Sequence, residues 1–310
     1  MMSNNNDPKK AFLPNEMKDY VRFYQVPTRR WWWGLIALGM GIVLFVLAFN
    51  VSALFQGLIP SEGDWAFPLA FLTNNIIVGT LVILAAVLVS WLFYRQGFGW
   101  LSSVEGQFRW KWFGLTVLVF TAGIALFEIM KHLFFPDAFI QFELAFRSYT
   151  LVMIAIILLA TPLYAAMEEY FFRGLFARLI AAIVPYRRAG LILSAFISTG
   201  VFMLIHLDAD PFRNIFYLSM GLMTWWLIYR TGGIEASVAY HAIANVAGQS
   251  ILPFIDFNYL DGRGDDWSII HLLPIVLHIV LVLIVDLIAR RKGLMRMSSP
   301  PAPVSNVVKA

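Results

Sequence analysis

Glu168 and Glu169 adjoin in the stretch Ala165-Ala166-Met167-Glu168-Glu169-Tyr170-Phe171-Phe172-Arg173, and Arg173 follows the second glutamate by four positions. The residues around them are apolar. On insertion scales each charged side chain at the centre of a membrane helix costs about 2.5–3.5 kcal/mol, so a cluster of three points to a task. Glu169 and Arg173 form an i,i+4 pair with the acid N-terminal, the favourable order on a helix, and neutralise one another. Glu168 projects about 100° away from Glu169 and has no such local partner. It is the freer carboxylate, the one available for acid–base chemistry.

The next polar group inside an apolar run is His206, in Phe202-Met203-Leu204-Ile205-His206. Val184-Pro185-Tyr186-Arg187-Arg188 reads as the turn of an antiparallel hairpin, because a proline and two charges interrupt the apolar pattern. Facing residues of that hairpin sum to about 373, which sets Glu168 level with position 205, beside His206. At about 1.5 Å per residue both lie roughly 27 Å from the turn. In His241-Ala242-Ile243-Ala244-Asn245 a second histidine and an asparagine share a helix face. They follow the turn Thr231-Gly232-Gly233 by about 12 Å of helix. Glu168, His206, His241 and Asn245 are therefore expected to converge in one polar cavity, with Glu169 and Arg173 as supports.

The elements that must position these groups are membrane spans. Of 310 residues, 60% are hydrophobic and 14% charged, and the mean hydropathy is +0.72, whereas soluble domains are about 25% charged. Apolar runs near 32–56, 74–94, 112–130, 149–184, 189–206, 213–230, 233–253 and 268–289 approach or exceed the length needed to cross about 30 Å of hydrocarbon. The expected fold is all-α, a polytopic integral membrane bundle of about eight transmembrane helices. Residues 1–30 read as a cytosolic tail, 31–148 as N-terminal spans and 149–255 as the core carrying the motifs. An outer acidic loop and last span follow over 256–292, then a disordered cytosolic tail over 293–310. With the N-terminus in the cytosol, only Lys131, Arg147, Arg213 and Arg263 of 23 basic residues fall outside, so charge bias favours both termini in the cytosol. Arg173 and Arg178 count as inner residues in that tally. The absence of cysteine excludes disulfides, thiolate catalysis and cysteine metal ligands.

Several polar residues have local readings. Glu128 can pair with Lys131 or His132, and Asp286 with Arg290. His271 and His278 suit interhelical hydrogen bonds. Asn74 and Asn75 suit a loop edge or cap, and Asp208 and Asp210 the short loop before Pro211. Trp31, Trp32, Trp33, Trp100, Trp110, Trp112, Trp225 and Trp226 cluster near span ends, where the indole anchors at the head-group level.

In their order along the chain, Glu-Glu-x-x-x-Arg at 168–173, Phe-x-x-x-His at 202–206 and His-x-x-x-Asn at 241–245 resemble the CPBP family. These are the CAAX prenyl endopeptidase type 2 and bacteriocin-processing intramembrane proteases, also called the Abi family. The resemblance covers about residues 150–255. It departs at Ile234-Glu235-Ala236-Ser237, where a more apolar start to the histidine helix is expected. The resemblance implies peptide-bond hydrolysis in a membrane cavity, with Glu168 as general base, His206 assisting, and Glu169, Arg173 and Phe202 supporting the site. His241 and Asn245 would stabilise the oxyanion; alternatively His206, His241 and Glu168 would hold a divalent ion such as Zn²⁺. The zincin signature His-Glu-x-x-His is absent, and metal independence is the favoured expectation. Substrates would be membrane proteins, lipid-anchored proteins or peptides met in the bilayer of a bacterial cytoplasmic membrane, with CAAX cleavage itself unassigned and no nucleic-acid partner expected. Two other classes fit the same residues: a catalytically silent scaffold or immunity protein, and a proton-coupled transporter using Glu168 and His206 as a relay.

Overall fold

The computed structural model describes residues 17–25, 30–134, 145–206, 208, 210–255 and 272–301. The chain is an all-α membrane bundle. Its helices are α1 (Trp31–Gln56), α2 (Ala66–Tyr94), short α3 (Phe98–Ser102), α4 (Trp110–Phe134), α5 (Thr150–Glu169), α6 (Ala177–Ile183), α7 (Arg187–Ile205), α8 (Pro211–Thr231), α9 (Glu235–Gly248) and α10 (Leu273–Arg291). A wide π turn, Tyr170–Phe176, joins α5 to α6 without breaking the rod. Apolar side chains face outwards along the spans, with Leu54, Leu151 and Leu159 each about three-quarters exposed. Such a surface fits hydrocarbon as the solvent.

Among the described residues, six stretches are long and apolar enough to cross a membrane: Trp31–Gln56, Ala66–Tyr94, Trp110–Lys131, Thr150–Ile183, Arg187–Ile205 and Leu273–Arg291. Six of the eight expected spans meet that standard of length and hydropathy, and the other two do not. The stretch 213–230 lies within α8, which forms a full-length helix but is not apolar enough. The expected span 233–253 fails by length. The α9 helix has 14 residues, about 21 Å at the usual rise, and its first eight residues are buried inside the bundle. It is an internal helix packed against α4, α5 and α8.

Local signals account for the breaks. Asp210 caps α8 by accepting from the Phe212 and Arg213 amides at 2.7 and 3.4 Å, with Pro211 at the first helical position. Gly232 ends α8 at φ +72°, a left-handed conformation that a side chain disfavours. Glu128 pairs with Lys131, and Asp286 with both Arg230 and Arg290. Asn74 and Asn75 lie inside α2 rather than at a loop edge, and Asn74 Oδ1 accepts from Ser52 at 3.2 Å. His278 meets the Tyr240 hydroxyl at 2.9 Å, an interhelical bond of the expected kind. Trp31 and Trp110 are largely exposed, as anchors should be, whereas Trp112 is buried in the core.

The terminal segments depart from the reading as tails. Lys18–Asp19 (β1) pairs antiparallel with Met297–Ser298 (β2), so the two described ends of the chain meet at one end of the bundle. Residues 18–25 are buried. Tyr24 stacks on Tyr94 at 4.0 Å, and Gln25 donates to the carbonyls of Ala181 and Val184 at 2.6 and 3.2 Å. Beneath this strap Arg178, a residue of α6, is fully buried. Its guanidinium lies 4.0, 4.8 and 5.6 Å from the rings of Tyr24, Tyr20 and Phe23, and it donates to Gln96 and to the Trp100 carbonyl. The acidic loop at Asp256, Asp261, Asp265 and Asp266, His271, the His132 side chain, residues 1–16 and residues 302–310 lie outside the described residues.

Candidate active site

The last two residues of α5 are Glu168 and Glu169, set where the helix widens into the π turn. Such bulges recur at functional sites because they re-aim side chains without ending the helix. Glu169 is fully buried and fully engaged. Its Oε1 lies 3.4 Å from Arg173 Nη1 and 2.8 Å from His241 Nδ1, and its Oε2 accepts from the Ser237 hydroxyl. Arg173 is also fully buried; it donates to the Gly221 carbonyl at 3.3 Å and lies 4.4 Å over the Phe202 ring. This approach requires a glycine at 221: a Cβ there would lie 2.6 Å from Thr199 Cγ2 and 3.2 Å from Arg173 Nη2.

Glu168 has a partner from another helix, which the sequence alone did not reveal. Its Oε2 is 3.0 Å from His241 Nε2, so His241 bridges both glutamates through its two ring nitrogens. A ring protonated on both nitrogens makes both bonds, and with Arg173 it balances the two carboxylates to zero net charge. Buried charges are tolerated when paired in this way. The sequence signal for Ser237 was present, since it precedes His241 by one helical turn and so shares its face.

A second buried pair anchors the start of α9. Arg109 Nε and Nη2 grip Glu235 at 2.9 and 2.7 Å, and Arg109 Nη1 donates to the Thr231 carbonyl at 3.0 Å. The Arg109 pKa is raised: burial depresses it, but the hydrogen bond and charge of Glu235 outweigh that effect. Glu235 and Ser237, the polar departures in the histidine helix, are thus its two fastenings. The turn before α9 is covered by α3, with the Val104 amide donating to Gly232 and the Ile234 amide to Ser102, both at 2.9 Å.

One cavity, of about 310 Å³, opens beside Glu168. It is lined by Phe45, Val46, Phe49 and Asn50 from α1, Tyr164 and Glu168 from α5, and Ile205 and His206 at the end of α7. The hairpin register thus brings Glu168 and His206 to the same wall. His206 Nδ1 contacts the Phe202 carbonyl at 2.7 Å, and since a carbonyl only accepts, the proton sits on Nδ1. In the neutral ring Nε2 is then a free acceptor. Tyr217 stacks on that ring at 4.0 Å and fixes its plane. His241 and Asn245 do not line this cavity: His241 stands behind Glu168, and Asn245 lies a turn further along α9. Tyr164 precedes Glu168 by one helical turn, a signal that was legible in the sequence, whereas nothing in the α1 sequence marks Asn50.

Residues 143–247 match the family described as type II CAAX prenyl endopeptidase Rce1-like. The matched stretch is about a third of the chain and contains all three motifs whose order resembles that family. No curated protein and no solved structure matches the chain. The Rce1-like segment carries Glu168, Glu169, Arg173, Phe202, His206, His241 and Asn245, while Asn50, Arg109 and the strap over Arg178 lie N-terminal to it. Among the described residues, no three His, Asp or Glu side chains group as a metal-ligand set. His206, His241 and Glu168 fit a zinc site poorly, because both nitrogens of His241 already face carboxylates.

Proposed function

We propose that this protein is an intramembrane endopeptidase in which Glu168 activates water for attack on a peptide bond of a membrane-associated protein or peptide. The observation that carries the proposal is the placement of Glu168: one oxygen is held by His241, and the side chain also forms part of the cavity wall beside His206. A water in that cavity can give a hydrogen bond to Glu168 and another to His206 Nε2. Glu168 takes its proton as the oxygen attacks the carbonyl carbon, then returns a proton to the departing amine, as general acid–base catalysis requires. His241 steadies the carboxylate, and Glu169, Arg173 and Ser237 steady His241. The carbonyl oxygen gains negative charge in the transition state, and the Asn50 amide and Tyr164 hydroxyl are polar wall groups able to meet it. In this reading His241 positions the base, and the oxyanion role expected for it and Asn245 passes to the cavity wall.

The setting is the bilayer. We assign both termini to the cytosolic side of a bacterial cytoplasmic membrane: β1 and β2 share one end of the bundle, and most basic residues bias that end inwards. The phenylalanines of α1 give the cavity an apolar side suited to a substrate segment arriving from lipid.

The test compares membrane proteomes of cells producing the wild-type chain and the Glu168→Gln variant, followed by cleavage of any accumulated substrate by purified protein. Accumulation of intact substrate with the variant, and its cleavage by the wild type alone, is the expected result. Unchanged profiles and equal cleavage by both proteins would remove the protease assignment and favour a silent scaffold.

A further inference from the structure

A second cavity, of about 390 Å³, lies away from the glutamates. It is lined by Glu105, Arg109, Lys111, Trp112, Leu115, Lys292 and Leu294, at the start of α4 and the end of α10. Its charges are unequally committed. Arg109 is saturated by Glu235 and Glu105, and Glu105 is satisfied by Arg109 at 3.3 Å. Lys111 and Lys292 are exposed, and among the described residues neither pairs with a carboxylate. Trp112, which lines the same cavity, is only 5% exposed, and its indole N–H has no acceptor among the described residues. Burying such a donor without a partner is costly, and structures rarely leave one so.

The rest of the wall decides the chemistry. Leu115 and Leu294 give one apolar side, and the neighbouring Trp110 is 71% exposed, as an indole at the head-group level would be. Two uncommitted ammonium groups and an unused N–H stand at a span end, next to apolar wall. That combination suits a phosphate whose other end is a hydrocarbon chain. A soluble phosphate would use the lysines but gain nothing from the leucines.

We propose that this cavity is a binding site for the phosphate head group of an anionic phospholipid, held by Lys111 and Lys292 with the Trp112 indole donating to a phosphate oxygen. It does not depend on the protease assignment. Each lysine contributes about fivefold, the usual worth of a basic side chain against an anionic lipid surface, so the pair contributes about 30-fold.

The test uses the full chain purified in detergent, with bound lipid read by native mass spectrometry against titrated phosphatidylglycerol, phosphatidylcholine and inorganic phosphate. Three variants are compared with the wild type: Lys111→Gln with Lys292→Gln, Trp112→Phe, and Arg187→Gln with Arg188→Gln as a control pair of exposed cations outside the cavity. The expected result is retention of phosphatidylglycerol over phosphatidylcholine, weakened about 30-fold by the lysine pair and several-fold by Trp112→Phe. The control pair should leave it unchanged. Both lysines are exposed and, among the described residues, pair with no carboxylate, so that variant should elute as folded protein. Equal weakening by the control pair would reduce the effect to general surface charge and overturn the site. Displacement of phosphatidylglycerol by millimolar inorganic phosphate would reassign the cavity to a soluble anion.

Discussion

Replacing Arg173 with alanine probes the charge balance on which the candidate site rests. Arg173 and Glu169 are both fully buried, and their side chains pair at 3.4 Å inside the cluster. Removing one partner of a buried pair costs about 3–5 kcal/mol, because the remaining charge is left uncompensated. His241 and Ser237 still serve Glu169, which pulls the value to the lower part of that range. The lost contact of the guanidinium with Phe202, at 4.4 Å, adds about 0.5–2 kcal/mol. The sum is about 4 kcal/mol, a large share of the 5–15 kcal/mol that holds a typical protein folded. Glu168→Gln should behave differently. It keeps the volume, and His241 can give up its Nε2 proton and accept from the glutamine amide, which restores the charge balance, so the change should cost about 1 kcal/mol. Denaturant unfolding in mixed micelles, followed by circular dichroism, measures both. Arg173→Met combined with Glu169→Gln removes both charges and should recover most of the loss. Equal losses in the two single variants, or no recovery in the double one, would refute the division between a supporting Glu169–Arg173 pair and a working Glu168.

Three further outcomes follow from the same geometry. Turnover of an identified substrate should survive thorough chelation and fall by about 10²–10⁴-fold in Glu168→Gln, the usual worth of a general base; loss on chelation with recovery on adding Zn²⁺ would reverse the choice of base over metal. Ser237→Ala deletes a donor to a buried carboxylate and should cost about 1.5–3 kcal/mol by denaturant titration while lowering kcat, whereas Ser237→Thr should retain most of both. Tyr24→Ala removes the ring stacked on Tyr94 and the nearest face over Arg178, so it should lose about 3–5 kcal/mol and expose the strap to proteolysis, while Tyr24→Phe should stay close to the wild type.

What the sequence discloses about this protein is what helical periodicity carries. The i,i+4 spacing of Glu169 and Arg173 becomes an observed ion pair, and the turn at Val184–Tyr186 sets Glu168 and His206 on one wall by simple counting. Contacts between distant segments carry no such signature. Nothing in the local pattern ties Arg109 to Glu235, 126 positions away, or Gln25 to the Ala181 carbonyl. Hydropathy fails at α9 for a related reason. A window average cannot separate a helix buried in protein from one buried in lipid, and α9 is the former.

The internal placement of α9 is also what makes its polar residues affordable. In a helix facing lipid, Glu235, Ser237 and His241 would each face hydrocarbon without a partner. In the interior each is met: Glu235 by Arg109, Ser237 by Glu169, and His241 by both glutamates. Two of these partners come from the Rce1-like segment itself, but Arg109 precedes it, as do the strap over Arg178 and the α1 wall of the cavity. The matched segment therefore supplies the proposed reacting groups and the residues that contact them, and the first 110 or so residues supply the closure that lets charges of this density sit in a membrane.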